Sequence, residues 1–224
     1  MCSYVSSWLC CSQTKFVTLC LALCFALLSQ NSFAERILVL GDSLSAAYNI
    51  PVESGWVNLL AEDLAPEYEL INASVSGETT GGGLARLPAL LESQKPDWVI
   101  IELGGNDGLR GFPLQLIRGN LAKMGELIIA ANAKPLYFGI RIPPNYGARY
   151  TDAFIEIFPE VAEEKAAPYL DLFLREFYEN DSLLQNDGIH PSKTAQPIIR
   201  DHVKTFLLEA LGAPQSETSS TITN

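Results

Sequence analysis

A mostly parallel α/β sheet with helices packed against it is the fold this sequence predicts, and three observations predict it. Short β-rich apolar runs alternate with amphipathic helical stretches, the runs end on polar turn clusters, and neither an internal repeat nor a linker divides the chain. One domain is the economical reading, because the 190 residues after position 34 suffice for a single cooperative core.

Arg36 to Leu40 (RILVL) reads as a buried strand that stops at Gly41-Asp42-Ser43. Trp56, Leu59, Leu60 and Leu64 repeat at helical spacing, and Tyr68 to Ala73 forms a second strand that runs into the polar loop SVSGETTGGG. Leu84, Leu87, Leu90 and Leu91 mark the next helix, ended by Lys95-Pro96-Asp97. A third strand, Trp98 to Leu103 (WVIIEL), leads into Gly104-Gly105-Asn106-Asp107. Leu114, Ile117, Leu121, Met124 and Ile128 then form one apolar helical stripe. Pro135 to Ile142 supplies a fourth strand, Tyr150 to Ala167 a helix interrupted at Pro159, and Tyr169 to Leu174 a fifth strand. The final helix is expected from Ser192 to Leu211, with Ile198, Ile199, Val203, Phe206 and Leu207 inward. Pro197 falls in its first turns, where a missing N–H costs least.

Both ends of the chain read as something other than core. Residues 1–34 carry one charge, Lys15, then the apolar run Phe16 to Leu28, then SQNSFA, the pattern of a signal peptide cleaved after Ala34 with Ser32 at the minus-three position. At 13 residues the run is too short to cross a hydrocarbon layer of about 30 Å as a helix. A retained N-terminal anchor is the alternative. Lipidation is disfavoured, since Cys20 and Cys24 both follow a leucine. The protein is therefore expected to be periplasmic or secreted. Residues 212–224 (GAPQSETSSTITN) are too polar to pack and read as a disordered tail, which leaves 35–211 as the domain.

Composition narrows the chemistry. All five cysteines lie in the leader, so the domain has no disulfide, thiol nucleophile or thiolate ligand. Losing Lys15 leaves 14 basic against 26 acidic residues, a net charge of −12. Such a surface repels phosphate backbones, which argues against nucleic acid. Nor does it attract an anionic bilayer, so membrane contact is at most peripheral and any lipid must be held by apolar contacts. A monomer acting on a small molecule is expected. A metal hydrolase is disfavoured because two histidines, no cysteine and no carboxylate cluster of recognisable spacing remain to ligate an ion. Gly81-Gly82-Gly83 lack the following Lys-Ser/Thr of a phosphate cradle. No cofactor is expected.

The polar clusters GDSLS, SGETTGGG and GGND all fall at strand ends, where ligand sites of open α/β sheets lie. A base titrating near neutral pH must be His190 or His202, and His202 sits at the edge of the last helix's apolar stripe, a structural or surface position. His190 lies in the loop Asn186-Asp187-Gly188-Ile189-His190-Pro191, three residues after Asp187. That carboxylate can turn back to the imidazole Nδ1 and leave Nε2 free to take a proton. Asp-x-x-His equally suits a turn cap with a chance histidine. Ser43 directly follows a strand and becomes a nucleophile only with such a base; read alone, it is equally well an N-cap. The motif is not the G-x-S-x-G elbow, since Ser45 and Ala46 follow. For an oxyanion, Gly77 and Ser43 offer backbone N–H groups and Asn106 its side-chain amide, although Gly77 also suits a plain turn and Asn106 a helix cap.

Taken together, Gly41-Asp42-Ser43-Leu44-Ser45, Gly77, Gly105-Asn106-Asp107 and Asp187-x-x-His190 resemble the four blocks of the SGNH hydrolases, also called the GDSL esterase/lipase family. The flanks Ala46-Ala47-Tyr48, Asn106 to Gly111, Ile142 to Gly147 and Asp187 to Pro191 are similar to its periplasmic thioesterase/lysophospholipase/arylesterase branch. The resemblance covers Glu35 to Leu211. It implies a flavodoxin-like three-layer αβα fold with a five-stranded parallel sheet. It also implies a Ser43-His190-Asp187 triad, an oxyanion hole from Ser43, Gly77 and Asn106, and hydrolysis of acyl esters and thioesters through an acyl-enzyme. Gly108, Leu109, Arg110, Gly111, Phe112 and Pro113 look like that branch's mobile loop over the acyl groove, and their glycines fit a loop that moves. Two rivals stay open: a carbohydrate O-acetyl esterase of the same chemistry, and a non-catalytic lipid- or glycan-binding domain.

Overall fold

The computed structural model describes residues 34–172 and 180–212. The leader expected over 1–34 lies outside them except for Ala34, as does the tail expected over 212–224 except for Gly212. Every described residue from Glu35 onward falls in one compact unit.

Among these residues five strands, β1 (Glu35–Gly41), β2 (Tyr68–Asn72), β3 (Trp98–Glu102), β4 (Lys134–Gly139) and β5 (Tyr169–Asp171), pair in the order β2-β1-β3-β4-β5. Every pairing is parallel, with Leu38 opposite Ile71 and Val99, and Gly41 opposite Glu102. This is the expected flavodoxin-like order. The sequence dictates it because the central strands are apolar at nearly every position: Ile37 to Leu40 and Trp98 to Ile101 are all buried, as strands covered on both faces must be.

Among the described residues six α-helices cover the sheet: α1 (Trp56–Leu64), α2 (Thr80–Gln94), α3 (Gly105–Leu109), α4 (Leu114–Ala130), α5 (Ala148–Glu164) and α6 (Gln196–Ala210). Helices α1 and α6 pack together, as do α2 with α4 and α4 with α5, giving helical layers on both sides. The α4 stripe read from the sequence is buried at Ile117, Leu121, Met124 and Ile128. None of these helices is long and apolar enough to cross a membrane.

The structure corrects several element boundaries. Gly81 to Gly83 are helical rather than part of a loop: the Thr79 hydroxyl accepts from Gly82 N–H at 3.2 Å and starts α2 early, and Gly83 packs against Leu103. Pro159 does not interrupt α5, which runs continuously through it. A mid-helix proline costs about 3 kcal/mol. Burial of Phe154, Ile157, Phe158 and Val161 on that helix offsets the cost, at about 1.5–3 kcal/mol for each large side chain. Strand β4 ends at Gly139, not Ile142, because its last pairing is Gly139 with Asp171. On α6, which begins after a 3-10 turn at Lys193–Ala195, Ile199, Val203 and Leu207 face the core while Ile198 is exposed. One position on a 3.6-residue helix turns a side chain by about 100°, so Ile198 and Ile199 cannot share a face.

The strand order reverses direction between β1 and β3. A crevice opens there beyond the carboxyl ends of the two strands, and Asp42-Ser43 and Gly104-Asn106 enter it side by side.

Candidate active site

Ser43 begins the turn that follows β1, and nearly every neighbour of Ser43 is pinned. The Asp42 carboxylate accepts from Leu44 N–H at 3.0 Å and from the Asn106 side-chain amide at 2.9 Å, tying the end of β1 to the start of α3. The Leu44 carbonyl accepts from the Trp56 indole at 3.2 Å and the Ser45 carbonyl from the Asn72 amide at 2.9 Å. Glu102, at the end of β3, accepts the Ser45 hydroxyl at 2.7 Å and Asp42 N–H at 3.2 Å.

The partner loop is built locally. A bridge between Leu184 and Pro191, with Gln185 N–H to the His190 carbonyl at 2.7 Å and Ser192 N–H to the Leu183 carbonyl at 2.8 Å, closes a short loop. Gly188 at φ +69° lets this loop reverse. Inside it one Asp187 oxygen accepts from Ile189 N–H at 2.9 Å and His190 N–H at 3.0 Å, and the other meets His190 Nδ1 at 2.8 Å. His190 Nε2 then lies 2.9 Å from Ser43 Oγ. The Tyr48 ring packs on the imidazole at 4.4 Å between centroids and limits its rotation.

The electrostatics differ across the site. Burial pushes the Asp42 carboxyl up to about 6, against the opposing pull of its hydrogen bonds from Leu44 and Asn106 and of the charge His190 can carry. Burial, and then the Asp42 carboxylate, hold Glu102 well above the usual carboxylate range. For Asp187 burial also pushes upward, but the N–H groups of His190 and Ile189 and the imidazole outweigh it and hold the carboxyl below its ordinary value.

Ser43, His190 and Asn106 share one cleft of about 400 Å³ with Leu44, Leu109, Ile140, Ile142 and Leu184. Gly77, at φ +80°, lies outside that lining, with its carbonyl accepting from Arg110 at 3.3 Å. Neither the Ser43 nor the Gly77 N–H donates to protein among the described residues. Gly108 and Leu109 belong to α3 rather than to a loop, and Gly108 is a packing glycine, since a Cβ there would meet Phe154 at 2.8 Å and Ile142 at 2.9 Å. Arg110 to Pro113 connect α3 to α4, with the Leu109 and Phe112 carbonyls held by the Tyr146 and Tyr150 hydroxyls at 2.7 and 2.8 Å. His202 stands apart, its Nε2 3.0 Å from the Asp171 carbonyl. Among the described residues no group of three or more His, Cys, Asp or Glu side chains could hold a metal ion.

Three participants carry no strong sequence signature: Tyr48, Asp42 as a tie to Asn106, and Glu102. Glu102 had the best signal available, a lone acid closing the apolar run WVIIE.

Serine, imidazole and carboxylate in this series can pass a proton from Ser43 to His190, at the mouth of a mostly apolar cleft. Residues 39–196 match the GDSL-like lipase/acylhydrolase family. An arylesterase of Vibrio mimicus is 45% identical over 196 residues, which are 86% of this chain and 98% of that protein. The thioesterase 1/protease 1/lysophospholipase L1 of Escherichia coli strain K12 is 48% identical over 168 residues, 75% of this chain and 81% of that one. Among solved structures the psychrotrophic esterase EstA from Pseudoalteromonas sp., inhibited by monoethylphosphonate, superimposes with a TM-score of 0.76 at 46% identity, covering 80% of this chain and 99% of that one.

Proposed function

The chain belongs to the GDSL-like lipase/acylhydrolase family and is an ester hydrolase; from that premise we propose that it cleaves acyl esters and thioesters with Ser43 as nucleophile, His190 as base and Asp187 as the group that orients the base. The observation that carries this reading is the unbroken hydrogen-bond series from Ser43 Oγ through His190 to Asp187.

Ser43 Oγ attacks the acyl carbonyl as its proton passes to His190 Nε2. The Asp187 carboxylate holds the tautomer with the proton on Nδ1 and steadies the imidazolium. The oxyanion receives the N–H groups of Ser43 and Gly77 and the second N–H of the Asn106 amide, whose first is taken by Asp42. His190 gives its proton to the departing thiol or alcohol; water, deprotonated by the same base, then releases the carboxylic acid from the acyl-enzyme. The acyl chain lies along Leu109, Ile140, Ile142 and Leu184, and the connection Arg110 to Pro113, which follows Leu109, covers it. Aryl ester, lysophospholipid and acyl thioester differ in the leaving group, which faces solvent, so one geometry serves all three. The protein works as a monomer after export and cleavage at Ala34.

Hydrolysis of p-nitrophenyl esters from acetyl to palmitoyl, beside Ser43→Ala, tests this reading. Rates that peak at medium or long chains and vanish in the variant support it. A peak confined to acetyl turns the assignment to an O-acetyl esterase, and activity that survives in Ser43→Ala removes the nucleophile assignment.

A further inference from the structure

Beneath the nucleophile lies an acid that the catalytic cycle does not use. Glu102 is fully buried at the end of β3, opposite Gly41 in the register of β1. Its Oε2 accepts from Asp42 N–H, one residue before Ser43, and from the Ser45 hydroxyl, two residues after it. Its Oε1 has no hydrogen-bond partner among the described residues, and neither has the buried Ser74 hydroxyl. Gly41 makes room for this arrangement: a Cβ there would stand 2.7 Å from Glu102 Oε2, 2.8 Å from Ser74 Oγ and 2.9 Å from Ser45 Cβ. The strand end, the acid and the two hydroxyl-bearing residues are packed around one glycine.

We propose that Glu102 is a positioning residue for the nucleophile: by gripping the chain on both sides of Ser43 it fixes the turn that aims Ser43 Oγ at His190. This rests on the reading of Ser43 as nucleophile. The grip is that of a neutral carboxylic acid. Both hydrogen bonds arrive at one oxygen and leave the other to carry the proton, and the nearest charge is another carboxylate, Asp42. An ionised Glu102 would be buried beside the Asp42 carboxylate, a like charge that disfavours it. The route is mechanical: Glu102 touches neither substrate nor imidazole, and acts through the backbone of Asp42 and the side chain of Ser45.

The test is steady-state hydrolysis of a p-nitrophenyl acyl ester by the whole protein and four variants, each checked for folding by its thermal transition. Glu102→Leu keeps the volume and removes the grip, and kcat is expected to fall about 100-fold with KM little changed, the signature of a misplaced reacting group. Glu102→Gln offers an acceptor and a donor in the places of the neutral acid's two oxygens, and is expected to restore kcat to within about 3-fold of the parent. Ser45→Ala deletes one of the two bonds with the least change in volume, and kcat is expected to drop about 10-fold. The grip is overturned if a folded Glu102→Leu keeps the parental kcat, or if Glu102→Gln is as impaired as Glu102→Leu. Should Glu102→Leu fail to fold, an unchanged kcat in Ser45→Ala overturns it equally. Ser43→Ala, run alongside, separates the two readings: activity retained there sinks the nucleophile assignment itself, whereas loss there with activity kept in Glu102→Leu sinks only the grip.

Discussion

Ser43 and His190 meet at 2.9 Å, yet the chain delivers them by different means. The turn around Ser43 is pinned by side chains 27 to 64 positions away, from Asn72, Glu102 and Asn106, and its polar members Asp42 and Ser45 are each 2% exposed. The loop around His190 is pinned from within, by Asp187 and Gln185, and Ile189 on it is 40% exposed. Besides the Ser43–His190 contact, the Gln185 amide donates to the Tyr48 carbonyl at 2.8 Å and the Tyr48 ring packs on the imidazole, joining the two regions. Ser43, the proposed nucleophile, is thus positioned by the whole sheet, while His190, the proposed base, arrives on a small loop held largely from within. Damage to the first region should register strongly in stability as well as rate, and damage to the second mainly in rate.

The largest expected effect treats the regions as one machine. Ser43→Ala and His190→Ala should each lower kcat about 10⁶-fold, and the double variant should be no worse than either, because residues that pass one proton fail together. Steady-state kinetics on the three proteins checks this; multiplying losses would mean that the two act separately. Asp187→Asn should cost less, about 10⁴-fold in kcat. The new amide can still accept the N–H groups of Ile189 and His190, so the loop survives, but its NH₂ meets Nδ1 as a donor and selects the wrong tautomer. A thermal transition within a degree or two of the parent would show that the loss is chemical.

Two glycines sharpen the contrast in stability. Gly41→Ala drives a methyl against Glu102, Ser74 and Ser45, and overpacking of this kind costs about 1–3 kcal/mol. Gly188→Ala meets nothing within 4 Å and costs only the strain of φ +69°, about 1–2 kcal/mol and at the low end for an exposed loop. Denaturant unfolding should rank Gly41→Ala as the more damaging. The reverse order would mean that the nucleophile side is the looser one.

The smallest effect is in pH dependence, and its sign differs between the regions. Asp42 and Glu102 have raised values in the fold, so the native state holds more protons than the unfolded chain. Their contribution is therefore complete below pH 3.8 and declines as pH rises, through about 6 for Asp42 and well above the ordinary carboxylate range for Glu102. Asp187 is lowered, so its smaller contribution is present above its ordinary value and lost as pH falls. Glu102→Gln removes one raised acid, and its stability relative to the parent should improve as pH rises above the ordinary carboxylate range in thermal melts. A difference that stays flat would mean that Glu102 is ionised in the fold.

Legibility followed the same division. Ser43, Asp187 and His190, which the structure joins by hydrogen bonds, each sit in a short local pattern, a strand end or a turn, and the sheet follows from apolar runs such as RILVL and WVIIE. Glu102 was not readable as a support for Ser43, because its contact with Asp42 and Ser45 exists only once β1 and β3 are paired in register. Pro159 and the glycines Gly81 to Gly83 misled for a related reason: local propensity argued for a break and a loop, and packing on α5 and the Thr79 cap overrode it. Gly108 looked like loop freedom and is a contact with Phe154 and Ile142 instead.

The central claim is that one serine, aimed by the sheet at a histidine on a separate loop, carries the acyl group. Its most direct test is to react the whole protein with an alkyl fluorophosphonate, follow ester hydrolysis to completion of labelling, and locate the adduct by peptide mass spectrometry. The account predicts a single adduct on Ser43 that forms in step with the loss of activity and does not form in His190→Ala over the same interval. An adduct on any other residue, or hydrolysis that persists after Ser43 is fully modified, would contradict it.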